Sequence, residues 1–129
     1  MQNLIIKNTI DKGSGVFAKK DFKKGTIIEV SPLILIPIDE FDLIKKTKLY
    51  YYYFEYSNSH FAIALGYGSL YNHSYTPNAR YLYDYTNKKI IYKAIKNIKK
   101  NDEIFINYNY YPNNKSPLED WFKENIHKQ

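Results

Sequence analysis

The chain contains no cysteine, and this absence narrows the functions open to it. Disulfide bonds, a cysteine-ligated zinc site and a cysteine nucleophile are all excluded. The three histidines, His60, His73 and His127, share no metal-ligand spacing, so we also expect no metal site. No apolar run approaches the ~20 residues of a membrane-spanning helix, and residues 1–7 lack the apolar stretch of a signal peptide. The sequence therefore predicts a soluble, intracellular protein without membrane contact.

The length of 129 residues predicts one domain with a core that needs no covalent or metal staple. The formal net charge is +6, from 19 lysine and arginine residues and 13 aspartate and glutamate residues. This charge favours acidic partners, including nucleic acids, without requiring them. The 15 tyrosines, with abundant isoleucine, lysine and asparagine, are typical of an AT-rich genome. Counts of tyrosine or lysine alone therefore indicate little about function.

Short apolar and β-branched runs between turns predict a mostly β protein. The predicted strands cover residues 4–9, 16–18, 27–30, 33–36, 61–65, 81–85, 90–94 and 103–108, of which 61–65 is either a strand or a buried turn. Two prolines, Pro32 and Pro37, bound the fourth of these, which we expect to be a short edge strand. The polar residues 86–89 between two strands predict a hairpin.

Two stretches have helical character. Residues 39–53 carry a rough apolar stripe at helical spacing, although the tyrosines at its end suit a helix or a strand. The C-terminal stretch is more regular, because Ser116, Pro117 and Glu119 occupy the N-cap, N1 and N3 positions of a capping box. We therefore predict a C-terminal helix over residues 117–127.

A weak internal repeat joins residues 18–25, AKKDFKKG, to residues 94–101, AIKNIKKN. Each unit ends in a residue that tolerates a positive φ, Gly25 in the first and Asn101 in the second. Each unit also leads into an aliphatic strand. The repeat predicts two similar strand–turn–strand units in a body made of small curved sheets.

Three short motifs follow one another along the chain: GSG at residues 13–15, NHSYTPN at 72–78 and DEIFINYNY at 102–110. The first is by itself a hairpin turn, although a glycine pair also lets a ligand approach the backbone. It is not a dinucleotide-binding fingerprint, since no third glycine follows at the required offset. The second lies between apolar runs, so it is either a turn between strands or a buried polar segment whose groups must all be satisfied.

In combination and order, the three motifs resemble the SET domain, the family of lysine methyltransferases. The resemblance runs from about Gly13 to Tyr110; its NHS and PN elements are specific, whereas the glycines and tyrosines are not. It implies a SET-domain (β-clip) fold of small curved sheets around a C-terminal pseudoknot, with one C-terminal helix and a core over about residues 4–112. Threading of the C-terminal segment is exceptional among proteins, and it would supply partners to the polar NHS segment. The length resembles the minimal SET proteins of large DNA viruses and some bacteria.

The resemblance also implies a reaction, the transfer of a methyl group from S-adenosyl-L-methionine to a lysine of a protein, without a metal. Tyr108 matches the active-site tyrosine. The residues that match the cofactor site are Gly13, Ser14, Gly15, Val16, Phe17, Asn72, His73 and Trp121. Candidate walls of a substrate lysine channel are Tyr52, Tyr81 and Tyr110. Trp121 is alternatively an anchor of the helix core, and for Tyr52 ordinary aromatic packing is the favoured interpretation.

The substrate and the partners stay open at this point. A histone H3 tail is the substrate to expect if the source acts on a eukaryotic host, with the host nucleus as location; otherwise a bacterial protein and the cytoplasm are expected. The lysine-rich surface suits weak contact with DNA or, as the favoured interpretation, a solvated face. The family resemblance allows a homodimer. Two other functions remain, a catalytically silent SET module that binds peptide or DNA, and a basic β-barrel that binds single-stranded nucleic acid through its tyrosines.

Overall fold

The computed structural model describes residues 3–118 and is mostly β, as predicted. Its strands are β1 (Leu4–Asn8), β2 (Ser14–Ala18), β3 (Ile27–Pro37), β4 (Tyr53–Glu55), β5 (His60–Ala64), β6 (Asn72–His73), β7 (Ala79–Asp84), β8 (Lys89–Ala94) and β9 (Phe105–Ile106). Within this range they form a β1-β2 sheet, a five-stranded sheet in the order β4-β5-β3-β8-β7, and a β6-β9 sheet. The expectation of several small sheets is confirmed.

Alternating burial places one face of β8 in the core. Ile90, Tyr92 and Ala94 are buried, whereas the residues between them are partly exposed, as the two-residue period of a strand requires. β7 pairs with β8 in antiparallel register, from Ala79 opposite Ala94 to Asp84 opposite Lys89, so the predicted hairpin is confirmed. The core beneath it is completed by residues from β2 and from the segment around β9, namely Val16, Ile98, Ile104 and Ile106.

The predicted edge strand over residues 33–36 is wrong in its extent. β3 runs without interruption from Ile27 to Pro37 and is the middle strand of the five-stranded sheet. Its first half pairs with β8 and its second half with β5 on the other side. Pro32 lies where the partner changes, so its missing N–H group interrupts neither ladder.

The helical character expected of residues 39–53 is present only as separate short turns. The structure has a 3-10 turn at Ile38–Glu40, a single α-helical turn α1 at Phe41–Ile44, and a second 3-10 turn at Lys48–Tyr51 before β4 begins. Neither Pro37 nor Glu40 makes a side-chain cap, whereas the Thr47 hydroxyl accepts the backbone N–H of Leu49 and starts a new turn. The rough apolar stripe was too irregular to bury one continuous helical face.

The two repeat units lie side by side. Phe22 and Ile98 form an isolated antiparallel bridge, in which the N–H group of each residue donates to the carbonyl oxygen of the other, at 2.7 and 2.8 Å. Gly25 and Asn101 both have positive φ, at 90° and 77°. The predicted similarity is therefore confirmed, and residues 18–25 and 94–101 are called the paired turns below.

The predicted strand over residues 103–108 is shorter in the structure, where β9 covers Phe105–Ile106 and Glu103 only bridges Phe17. The predicted C-terminal helix over residues 117–127, beyond Leu118, lies outside the described residues, and so does Trp121. Threading of the C-terminal segment stays a prediction for the same reason. None of the helices between residues 3 and 118 is long and apolar enough to span a membrane.

Candidate active site

The NHS segment is buried and short. Asn72 and His73 form β6, which pairs in parallel with β9, and their side chains are only 3% and 7% exposed. Asn78, at the end of the same motif, holds this segment to the chain before β9. Its Nδ2 donates to the carbonyl oxygen of Glu103 at 2.9 Å and its Oδ1 accepts the N–H of Phe105 at 2.8 Å. The second and third sequence motifs are therefore tied together by hydrogen bonds.

Asn72 joins these two motifs to the first. Its Nδ2 donates to the carbonyl oxygen of Ser14 at 3.0 Å and to Glu103 Oε2 at 2.8 Å. The approach requires glycine at position 15, because a Cβ atom there would lie 2.5 Å from the Glu103 carboxylate. Gly13 makes the preceding turn with φ of 69°, a conformation that glycine adopts without strain.

A carboxylate and an ammonium group flank this glycine turn. Burial raises the pKa of Glu103, although the hydrogen bond from Asn72 and the charge of Lys12 both act in the opposite direction. Lys12 Nζ donates to the carbonyl oxygen of His73 at 3.1 Å and lies 4.9 Å from the centre of the Phe105 ring. The turn thus places one group of each charge beside its backbone, an arrangement that suits a zwitterion.

His73 is a neutral hydrogen-bond acceptor. Its Nδ1 accepts the backbone N–H of Tyr108 at 3.0 Å, so the proton of the neutral ring is on Nε2. Burial, followed by the nearby charge of Lys12, lowers the pKa of His73 to about 4. Nε2 is buried and has no hydrogen-bond partner within residues 3–118. The Tyr75 ring packs perpendicular to the imidazole at 4.5 Å.

Tyr108 is held at both ends. His73 fixes its backbone, and its hydroxyl donates to the carbonyl oxygen of Tyr71 at 2.6 Å. Burial raises the pKa of Tyr108 above its ordinary value. The hydroxyl therefore stays protonated at neutral pH, which makes it a hydrogen-bond donor and not a base.

Tyr108 also lines a cavity of about 650 Å³, which does not include the glycine turn. We call it the tyrosine cavity, since ten tyrosines line it: Tyr51, Tyr52, Tyr53, Tyr56, Tyr71, Tyr81, Tyr83, Tyr85, Tyr108 and Tyr110. The predicted channel residues Tyr52, Tyr81 and Tyr110 are all among them. The predicted cofactor residues of β2 and β6 are not. Tyr108 thus lies between two neighbouring sites, a glycine turn with charged groups and an aromatic cavity.

Contacts among the rings give the cavity wall its shape. The Tyr81 and Tyr110 rings meet edge to face at 5.2 Å, and Tyr83 stacks on Tyr110 at 5.8 Å. The Arg80 guanidinium lies 5.5 Å from the centre of the Tyr110 ring and makes a cation–π contact with it. The Tyr81 hydroxyl donates to the carbonyl oxygen of Tyr108 at 3.4 Å. The wall is therefore connected to the residue between the two sites.

The sequence and the fold of this chain are similar to those of known proteins. The profile of the family described as SET domain matches residues 13–109. The chain belongs to the SET-domain family. A histone-lysine N-methyltransferase of Schizosaccharomyces pombe, named as H3 lysine-37 specific, is 36% identical over 106 residues, which are 81% of this chain and 72% of that protein. The crystal structure of a candidate histone methyltransferase of Plasmodium falciparum has a TM-score of 0.70 at 36% identity and covers 82% of this chain and 92% of that one.

Membership confirms the SET fold inferred from the three motifs, and it makes the chain a protein-lysine methyltransferase. The SET fold brings together most of the predicted site residues. Some of them contribute a side chain to the site, and others contribute only their backbone. The side chain of Val16 is completely buried in the core, so it does not contact a ligand directly. Between residues 3 and 118, no group of three or more histidine, aspartate and glutamate side chains could hold a metal ion.

Several residues in and beside the candidate site of this SET domain were not predicted from the sequence. Lys12 and Glu103 flank the glycine turn, although only the second stood in a recognised motif. Glu29 accepts the Tyr71 hydroxyl at 2.6 Å and the N–H of Tyr67 at 2.9 Å, and it is only 5% exposed. A lone acidic residue in the aliphatic run IIEV was the available signal, because a buried carboxylate requires donors.

Proposed function

We propose that the chain transfers a methyl group from S-adenosyl-L-methionine to a lysine side chain of a histone, with histone H3 as the substrate. The observation that carries the proposal is the position of Tyr108 between the glycine turn and the tyrosine cavity. A two-substrate transfer needs two sites that meet at one reactive point. The Schizosaccharomyces pombe relative, named for histone H3, supports the choice of substrate.

The residues around the glycine turn fit the cofactor. Its methionine part carries one carboxylate and one ammonium group, and Lys12 and Glu103 are complementary in charge to these two groups. The backbone of residues 13–17 lies beside them, with glycine where a side chain would intrude. We assign Asn72 and His73 to the orientation of this turn and of the amino-acid and adenine parts. Trp121 is proposed to stack on the adenine, as flat rings do well.

When bound, S-adenosyl-L-methionine supplies an electrophilic methyl group on a sulfonium ion. Held by the residues around the glycine turn, the methyl carbon would be open to the lone pair of a lysine nitrogen, and the electron pair of the carbon–sulfur bond would remain on sulfur. The amine must first lose a proton, which costs roughly 4–5 kcal/mol at pH 7 for a pKa of ~10.4. The aromatic walls of the tyrosine cavity disfavour the ammonium form by desolvation, so the proton can be released to solvent water and a strong general base is not required.

Tyr108 and the cavity walls then align the amine. Because the Tyr108 hydroxyl donates its proton to the Tyr71 carbonyl, its oxygen remains an acceptor for an N–H of the amine. This contact fixes the direction of the lone pair for an in-line attack at ~3 Å. Tyr52, Tyr81 and Tyr110 are assigned to the walls around the alkyl stem, where flat rings pack well against methylene groups.

The proposal is tested with labelled S-adenosyl-L-methionine and purified histones. We expect label in histone H3, and a loss of about 100-fold in kcat for Tyr108→Phe, the size seen when one positioned hydrogen-bonding group is removed from an active site. The control is Tyr111→Phe, whose ring is 61% exposed and does not line the cavity. It should keep the activity of the unchanged protein.

Calorimetry separates the remaining possibilities. Cofactor binding without transfer to any lysine would favour the silent SET module, and absence of cofactor binding would contradict both the reaction and the assignment of residues 13–17. The homodimer stays a prediction, as does a nuclear location, and sedimentation measurements of the purified chain test the first of them.

A further inference from the structure

The positive charge of this chain is concentrated in the paired turns. Residues 18–25 and 94–101 contain seven lysines and one aspartate, a net charge of +6. This equals the formal net charge of the whole chain. The rest of the sequence therefore carries equal numbers of basic and acidic side chains. The lysines are Lys19, Lys20, Lys23, Lys24, Lys96, Lys99 and Lys100.

The structure brings the two groups of lysines onto one surface. Phe22 and Ile98 are buried and bridge each other, with exposures of 4% and 1%. Because these anchors point into the core, the lysines that flank them point to solvent, and all seven are exposed. Two backbone contacts fix the alignment, from Gly25 N to the carbonyl oxygen of Ala94 at 2.8 Å and from Asn101 N to that of Ala18 at 2.8 Å.

The acidic side chains in and beside these turns have a structural role. Asp21 Oδ1 accepts the backbone N–H of Lys100 at 2.8 Å, and Asp102 Oδ2 accepts that of Lys99 at 3.1 Å. These carboxylates hold the turns in shape by bonding to the main chain. The ammonium groups remain at the surface as a concentrated cationic patch.

The surface is polar as well as basic. None of the exposed large hydrophobic side chains found within residues 3–118 lies in the paired turns. A protein partner would need apolar contacts at the centre of its interface. A nucleic acid backbone needs only cations spaced along its phosphates, and lysines serve as point charges for this purpose.

We propose that the paired turns bind the phosphate backbone of duplex DNA, without regard to its sequence. Lysine contacts to phosphates position a protein on DNA and carry no base information. The binding surface is separate from the tyrosine cavity, whose lining contains none of the seven lysines. The chain would then hold DNA on one surface while a protein substrate enters another.

The test measures binding of a labelled DNA duplex by fluorescence anisotropy over a range of salt concentrations. One variant carries Lys23→Gln, Lys24→Gln, Lys99→Gln and Lys100→Gln. Its matched control carries Lys45→Gln, Lys46→Gln, Lys48→Gln and Lys89→Gln, four exposed lysines outside the paired turns. Both variants lose four positive charges, so a difference in DNA affinity between them cannot come from net charge alone. Circular dichroism checks that both are folded.

We expect the paired-turn variant to bind DNA at least about tenfold more weakly than the unchanged protein near 0.1 M salt, and the salt slope to fall by about 2–4, since each lost phosphate contact removes about 0.9. The control should stay within about threefold of the unchanged protein. Equal losses in both variants, or no binding by the unchanged protein, would overturn the proposal. Poly-glutamate that competes as well as unlabelled duplex would do the same, by indicating an acidic protein partner.

A second measurement depends on the proposed function and is read separately. The paired-turn variant should methylate free histone H3 at the rate of the unchanged protein and lose rate only on nucleosomes. If the variant matched the rate of the unchanged protein on nucleosomes as well, DNA contact would not assist the reaction. If no methyl transfer is found at all, the binding data still decide the DNA proposal.

Discussion

Tyr71 contributes both its main chain and its side chain to the site. Its carbonyl oxygen accepts the Tyr108 hydroxyl at 2.6 Å, and its own hydroxyl donates to Glu29 at 2.6 Å. Glu29 also accepts the hydroxyl of Ser31 at 3.1 Å. Several donors satisfy this buried carboxylate, which would otherwise be costly. A carboxylate near the start of β3 thereby helps to position the hydroxyl of Tyr108.

His73 makes folding stability depend on pH. Its pKa is about 4 in the folded protein and about 6.5 in an unfolded chain. Between these values the unfolded state binds more protons, so stability falls as the pH falls. We expect a loss of about 2 kcal/mol between pH 7 and pH 5 from this residue, measured by denaturant unfolding. Burial raises the pKa of Glu103, which contributes a slope of opposite sign, with stability falling as the pH rises above its unfolded pKa.

The variant His73→Gln isolates the imidazole, because it removes the titrating group and keeps a polar side chain. Its stability should vary less with pH over this interval than that of the unchanged protein. His60→Gln, at the partly exposed first residue of β5, is the matched control and should leave the difference between pH 7 and pH 5 intact. A pH dependence unaffected by His73→Gln would contradict the assignment.

At the level of elements, the repeat could be predicted from the sequence because it depends on local backbone conformation. Gly25 and Asn101 stand where the backbone needs positive φ, and few residue types accept that conformation. The β7-β8 hairpin was equally readable, because its alternation and its polar tip are contained within sixteen residues.

We expect the two turns to respond alike to alanine. Asn101→Ala and Gly25→Ala should each cost about 1 kcal/mol of unfolding free energy, since alanine is strained at positive φ. At Gly25 steric clash does not contribute, as an added Cβ would meet nothing within 4 Å. Asn101→Gly should stay within about 0.5 kcal/mol of the unchanged protein. Chemical denaturation measures all three.

Lys96→Ala is the control for that series, because Lys96 is an exposed residue of the same turn without positive φ. It should change stability by less than about 0.5 kcal/mol. An Asn101→Ala protein as stable as Asn101→Gly would show that the φ of this residue is not what limits the turn.

The parts of the fold that were not predicted depend on distant residues. Nothing local in residues 27–37 shows that β3 changes partner at Pro32, because β5 and β8 lie far along the chain. The same holds for the site. Tyr71 and Glu29 are 42 residues apart in sequence, and neither pattern alone indicates the pair. Asn72, His73 and Tyr108 could be proposed as site residues only because they stand in motifs that resemble those of a known family.

Across the whole molecule, the excess positive charge and the tyrosine cavity lie on different surfaces. The paired turns hold the excess of lysine, whereas the described lining of the tyrosine cavity contains no lysine or arginine and one acidic residue, Glu55. Burial is the main cause of the raised pKa of Tyr81 and of Tyr83, and the charge of Glu55 adds to it. Under the two proposals, a basic substrate therefore meets an aromatic, weakly acidic opening, and a polyphosphate binds a different surface.

This separation predicts a specific role for Glu55. Because Glu55 is exposed, its attraction for a basic residue beside the target lysine should be modest, and Glu55→Gln should raise KM about two- to fivefold for a peptide with such a residue, in line with surface ion pairs. For a peptide with glutamine at that position, KM should not change. Glu40→Gln removes the same charge from an exposed residue outside the cavity lining and should leave both KM values unchanged. If Glu55→Gln raises KM equally for both peptides, Glu55 supports the cavity wall and does not recognise charge.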